Sequence, residues 1–130
     1  MVEQYRPDIR KRAFQYSLRA IRLYHVLQNA KDGAGWVIGK QFLRAATSIG
    51  ANVEEAQAGE TRADFVHKYG IAQKEARETI YWLGLLAEGA IIPKRRMIPL
   101  LKETEEIYAV ITAIIRNAKN GSSGRIKGKG

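Results

Sequence analysis

Side chains able to do acid, base or metal chemistry are few. The chain has two histidines, His25 and His67, and no cysteine. Metal sites in helical bundles are built from a Glu on each of two helices and a Glu-x-x-His pair on each of two more. The nearest approach here is a single Asp64-Phe-Val-His67, which a helix-start Asp beside a surface His accounts for. Glu54 and Glu55 are adjacent, so on a helix they diverge by about 100° and do not face one another as a paired acid and base must. Gly33 and Gly35 read as part of a helix–helix turn, and no Gly-rich phosphate loop follows a strand. The expectation is a non-enzyme, with no catalytic residue, no metal ligand and no cofactor.

Electrostatics is the chemistry the sequence does supply. The formal net charge is +9 and the pI about 10.0. Residues 1–31 hold seven Lys/Arg against Glu3 and Asp8, and residues 116–130 hold five Lys/Arg and no acid. The middle, residues 32–115, is nearly balanced, with ten cations and eleven acids. A positive excess concentrated at both chain ends points to a polyanionic partner. Between Asp8 and Asp32 no acid occurs, while Lys11, Gln15, Arg19 and Arg22 step by 4, 4 and 3 with Arg10 and Arg12 alongside. That is a helix-long cationic strip, suited to successive phosphates and expected opposite an apolar stripe of Phe14, Leu18 and Ile21 with Ser17, Tyr24 and Leu27 beside it. Arg116 and Lys119, with Arg125, Lys127 and Lys129 of the terminal stretch, are expected at the same end as Arg10–Arg12. Lys94, Arg95 and Arg96 are expected at the opposite end. Aromatic residues fall mostly on the expected core stripes, which argues against base stacking and sequence-specific readout.

Four helical segments must position these groups. The first is expected from Asp8, an N-cap after Pro7, to Ala30, and Lys31-Asp-Gly-Ala-Gly35 ends it. The second runs from about Trp36 to Ala58, where Ile38, Phe42, Ala45, Ile49, Val53 and Ala56 make a nearly pure heptad-like stripe. The third opens at Thr61, with Thr61-Arg-Ala-Asp64 resembling a capping box, carries Phe65, Tyr69, Ala72, Ala76, Ile80 and Leu83, and ends near Gly89. The fourth begins between Arg95 and Pro99 and carries Met97, Leu101, Thr104, Tyr108, Ile111, Ile115 and Ala118. No segment alternates with period two. Short connections force neighbouring helices antiparallel, so the fold class is all-α, an up-down-up-down four-helix bundle over residues 1–119. Residues 120–130, with four glycines and one apolar side chain, read as a flexible basic tail. Ile80 to Ala87 and Ile107 to Ile115 are apolar nearly all round, more than a single bundle core requires, and imply a homo-oligomer.

A second polar feature lies on the second helix. Gln41, Arg44, Ser48, Asn52 and Glu55 step by 3, 4, 4 and 3 in one narrow stripe. A solvated face is richer in Lys and Glu; this composition reads as a structural or interfacial hydrogen-bond row, and direct ligand recognition is the alternative.

The same stretch carries a resemblance. Gln41-Phe-Leu-Arg-Ala-Ala-Thr-Ser-Ile-Gly-Ala-Asn-Val-Glu-Glu55, Arg62-Ala-Asp-Phe65 and Lys74-Glu-Ala-Arg-Glu-Thr-Ile-Tyr-Trp-Leu83 resemble the bacterial four-helix-bundle family. That family includes proteins encoded within 23S rRNA intervening sequences and the accessory variability proteins of diversity-generating retroelements. The resemblance covers about residues 8–118, with Ala56 where Gly is usual. It implies a homopentameric barrel of bundles and, for the retroelement members, binding of nucleic acid and of a reverse transcriptase.

No apolar run reaches the ~18 residues of a membrane span, and residues 1–12 lack the apolar core of a signal peptide. With no cysteine, the reading is a cytoplasmic protein without a membrane partner. The expected function is oligomeric binding of RNA or DNA, as an accessory to a retroelement reverse transcriptase. The rival reading is a protein–protein scaffold whose basic face docks an acidic protein.

Overall fold

In the computed structural model, the backbone of residues 2–129 and the side chains of residues 9–121 are described. The chain forms four helices, α1 (Val2–Asn29), α2 (Gly33–Gln57), α3 (Arg62–Glu88) and α4 (Lys94–Lys129), and no strand occurs among the described residues. Each helix packs on its neighbour in sequence, and α1 also touches α4. Named side chains fix the pairings. On α2, Glu54 meets Arg10, and an added Cβ at Gly39 would meet Leu27 of α1. On α3, Lys68 meets Glu55 of α2 and Glu75 meets Arg44. Gln73 hydrogen-bonds Thr112 of α4, and Arg62 donates to the Ala118 carbonyl.

The core runs the length of the bundle through Tyr16, Leu27, Phe42, Ile49, Val53, Leu83, Leu86, Ile107 and Ile111, none more than 1% exposed. Burial of each large apolar side chain stabilises by roughly 1.5–3 kcal/mol, and these rows hold the helices in place. The expected stripe of α2 supplies five buried residues, Phe42, Ala45, Ile49, Val53 and Ala56. On α1 the expected stripe is displaced. Leu27 is buried as expected, but its companions are Ile9, Ala13, Tyr16 and Ala20, whereas Phe14 is 62% and Ile21 39% exposed. Both sets have helical spacing, so periodicity alone admits either. Close packing decides between them: a Cβ at Gly50 would lie 3.4 Å from the Ala13 carbonyl, an approach that needs small residues on both helices.

Helix ends follow local chemistry. Thr61 caps α3 as expected, its hydroxyl accepting from the Asp64 N–H at 3.0 Å. Asp32 caps α2, its Oδ1 accepting from the Gly35 N–H at 2.8 Å, so Gly33 and Gly35 lie inside α2 rather than in the turn. The left-handed turn residues are Lys31 (φ 55°) and Ala90 (φ 59°), neither of them glycine. Upstream, α1 starts at Val2 rather than at Asp8, and Pro7 interrupts its hydrogen bonding without ending it. Downstream, α4 continues past Lys119. The side chains of the expected tail beyond residue 121, including Arg125, Lys127 and Lys129, lie outside the described residues.

Candidate nucleic-acid interface

Rotating α1 onto its true core face re-sorts the cations. Lys11, Phe14, Leu18 and Arg22 step by 3, 4 and 4, so they share one outward face. The cationic strip therefore lies beside Phe14 and Leu18, not opposite them; of these, Lys11, Phe14 and Arg22 are exposed and Leu18 is half-buried. Arg10 and Arg12 flank this face and bind neighbouring helices. The Arg10 guanidinium forks onto Glu54 of α2, with Nε–Oε1 2.8 Å and Nη2–Oε2 3.0 Å. The Arg12 guanidinium forks onto Glu103 of α4 at 2.9 and 3.0 Å and also reaches Glu106. Tyr16 and Thr104 hydrogen-bond each other one turn further along α1.

These pairs shift the groups involved. Hydrogen bonding to Arg10 holds the Glu54 carboxyl below the usual carboxylate range. Hydrogen bonding to Arg12 does the same for Glu103, against some desolvation. The Arg12 guanidinium is in turn held more firmly protonated by Glu103. Burial pushes the Tyr16 and Tyr69 phenols up, and the Gln57 amide partly offsets this at Tyr69.

Three of the expected nucleic-acid ligands are thus engaged within the protein: Arg10, Arg12, and Lys94, which meets Glu88 at 2.9 Å. Lys11, Arg19, Arg22, Arg95, Arg96, Arg116 and Lys119 have no carboxylate within ion-pairing distance among the described residues. Arg19 is half-buried and close enough to Glu103 to lower its carboxyl further. The others are exposed.

On α2 the polar row faces α3. Arg44 pairs with Glu75 at 3.3 Å and with Glu78, and Glu78 also accepts from the Trp82 indole N–H at 3.0 Å. Glu55 lies 3.9 Å from Lys68, Gln41 meets Arg44 at 3.4 Å, and the Asn52 amide donates to the Ser48 carbonyl at 2.9 Å. Arg44 and Glu55 thus reach α3, while the bonds of Gln41 and Asn52 stay within α2.

Arg10 and Lys11 also line an open cleft of about 1710 Å³ with Arg62 of α3 and with Ile114, Asn117 and Ala118 of α4. Arg10 and Lys11 thus share the cleft with the far part of α4, but the expected Arg12, Arg116 and Lys119 are not among its lining residues. Arg62 joins them and was not among the expected ligands. Its signal was legible: a cation at the first position of a helix opposes the dipole, so it needs a reason outside its own helix. Sequence reasoning also missed two exposed aromatics beside cations. Lys40 Nζ lies 4.2 Å from the ring centroid of Trp36, which is 45% exposed, and Tyr81, 59% exposed, follows Lys74 and Arg77 on one outward face. His25 and His67 are exposed, and no group of three or more His, Asp or Glu gathers among the described residues.

A model of the 23S rRNA-intervening sequence protein family matches residues 7–113, a span that includes the α2 motif and the α1 face. The chain belongs to this family. A solved structure from Bacteroides thetaiotaomicron, described as a protein with unknown function from the S23 ribosomal protein family, is similar in fold and sequence. It is 37% identical, with a TM-score of 0.77, over 82% of this chain and 97% of that one. No curated protein matches the chain. No helix among the described residues is long and apolar enough to cross a membrane.

Proposed function

We propose that this protein is a non-enzymatic, cytoplasmic nucleic-acid-binding bundle that acts as a homo-oligomer. One observation carries the reading: among the described residues most acids are engaged by cations of the same chain, while a larger set of outward cations is not engaged. Asp32, Glu60, Asp64 and Glu105 are exposed exceptions. Glu54, Glu55, Glu75, Glu78, Glu88, Glu103 and Glu106 each meet a Lys or Arg of the same chain. Lys11 and Arg22 on α1, Arg95 and Arg96 at the start of α4, and Arg116 and Lys119 further along α4 remain to face solvent. Such a surface attracts phosphates wherever they are spaced along a backbone and gains affinity by releasing their counterions.

The descending order of the helix pairings supports the antiparallel up-down-up-down arrangement. Oligomerisation is supported by Val37, Tyr81, Leu85 and Ile98, large side chains left 37–61% exposed. Five copies, and a reverse transcriptase partner in a diversity-generating retroelement, are the narrower forms of the proposal and rest on the family likeness alone. The test is binding of labelled RNA and duplex DNA by wild type and by a variant carrying Lys11→Gln, Arg22→Gln, Arg116→Gln and Lys119→Gln. All four side chains are exposed, so the fold should persist. Affinity should fall on every sequence alike. Unchanged affinity of the variant for both nucleic acids would refute the reading, and wild-type binding of an acidic polypeptide such as polyglutamate that the variant loses would favour the scaffold.

A further inference from the structure

Neither the core nor the charge strip explains Phe14. Its ring is 62% exposed in the middle of α1. A phenyl group left largely in water forgoes most of the stabilisation that burying it would give. It lines the open cleft one turn from Lys11, and α2 lines the same cleft with Thr47, Gly50 and Ala51, small residues that leave room beside the ring. Two less exposed rings, Phe65 and Tyr69, with centroids 4.7 Å apart, line it as well.

The cleft's charge is as informative as its rings. Among its described lining residues, Arg10 is neutralised by Glu54, which leaves Lys11 and Arg62 in excess. Arg62 uses one nitrogen on the Ala118 carbonyl and keeps the rest of its fork. At about 1710 Å³ the cleft exceeds the roughly 300–1,000 Å³ of a small-molecule pocket and suits a piece of a polymer. Aromatic face, unbalanced cations and the amides of Gln15 and Asn117 together match one ligand chemistry, unpaired nucleotides. A second copy of the chain fits less well, since its docking would take Lys11 and Arg62 out of water, whereas a phosphate backbone brings its own charge to them.

We propose that this cleft holds a short unpaired stretch of nucleic acid, one base stacked on Phe14 and the flanking phosphates on Lys11 and Arg62. The inference rests on the nucleic-acid reading and sharpens it to single strands. In a duplex the base faces are already stacked on one another, so only the outward cations can act on it. A single strand can use both.

The experiment is fluorescence anisotropy with the full chain on three probes of about 12 nucleotides, within the ~4–16-nucleotide range of single-strand sites: oligouridine RNA, oligothymidine DNA and a DNA duplex. Wild type, Phe14→Ala and Phe14→Tyr are compared. Phe14→Ala should weaken both single strands by about 5- to 150-fold, the loss of one base–aromatic stack, and the duplex by less than about twofold. The salt slope should not change, because no charge is removed. Phe14→Tyr should restore single-strand affinity. The proposal is overturned if Phe14→Ala leaves single-strand binding within about twofold of wild type, weakens the duplex equally, or splits an oligomer in light scattering. A wild type that binds no probe would bring down the nucleic-acid reading and this inference together. A wild type that binds all three, with Phe14→Ala silent, would bring down only the inference.

Discussion

Arg12 is expected to be a stability residue rather than a ligand, and Arg12→Gln tests this. Its side chain is 31% exposed and that of Glu103 22%, so the forked pair is partly withdrawn from water. Exposed ion pairs contribute about 0–1 kcal/mol, whereas breaking a buried one costs about 3–5 kcal/mol. A pair between these limits should cost about 1–2 kcal/mol. For a chain of this size, that lowers the melting temperature by about 3–8 °C. The residue matters beyond its pair, because little else joins α1 to α4, chiefly Tyr16 with Thr104. Arg10→Gln is the control, since Arg10 and Glu54 are each at least half exposed and their pair should contribute far less.

The effect of pH follows from Glu103. Its carboxyl is held low in the folded state, chiefly by the hydrogen bond from Arg12. The stabilisation is therefore fully present above the unfolded value, about 4.3, and is lost as pH falls through the lower folded value. Thermal melts by circular dichroism at one fixed protein concentration, at neutral and at strongly acid pH, provide the assay. The gap between wild type and Arg12→Gln should be wide at neutral pH and narrow in acid. If Arg12→Gln melts no lower than Arg10→Gln, or if the gap widens in acid, the assignment of Arg12 to the fold is wrong.

Other substitutions probe other parts of the structure. Thr61→Ala removes the hydroxyl that accepts from the Asp64 N–H and should cost about 1 kcal/mol in denaturant melts. Gly70→Ala and Gly84→Ala lie mid-helix where an added Cβ meets nothing within 4 Å, so each should stabilise by roughly 0.5–1 kcal/mol. A loss at either site would show that another surface covers that face of α3. Light scattering should return a multiple of the 14.6 kDa chain mass, five-fold if the narrower proposal holds, and a monomer at micromolar concentration would refute self-association.

The α2 core was legible because its apolar row is flanked by polar ones, leaving one face to bury. On α3, Tyr69, Ala72, Ala76 and Leu83 were legible, but the apolar stretch from Ile80 to Ala87 did not show that Thr79 and Leu86, rather than Ile80, are buried. On α1 two apolar rows share the same spacing, and the row of larger side chains, Phe14, Leu18 and Ile21, faces outward or to the rim. Ala13 and Ala20 carry little apolar area and so do not stand out in the sequence. They are buried because small residues let α1 approach α2 near Gly50. That rotation also hid the candidate site: with Phe14 assigned to the core, no aromatic is left for stacking. The excess of cations was visible from composition. Which cations are committed was not, since Arg12 finds Glu103 ninety-one positions away and no local rule reveals such a partner. The motif on α2 carried the family resemblance; within it Arg44 ties α2 to α3 through Glu75, while the Asn52 amide bonds the Ser48 carbonyl of its own helix.

If outward cations without a carboxylate partner bind a phosphate backbone, the salt dependence of binding must show it. A protomer that neutralises ~5 phosphates should give a slope of log K against log salt near −4.5 on duplex DNA and about −3.5 on single strands. An oligomer engaging several protomers should be steeper. Substituting Lys11, Arg22, Arg116 and Lys119 by Gln, with Arg12 left in place, should flatten the slope by about one unit for each phosphate no longer neutralised. A shallow wild-type slope, unchanged in the quadruple variant, would contradict the account.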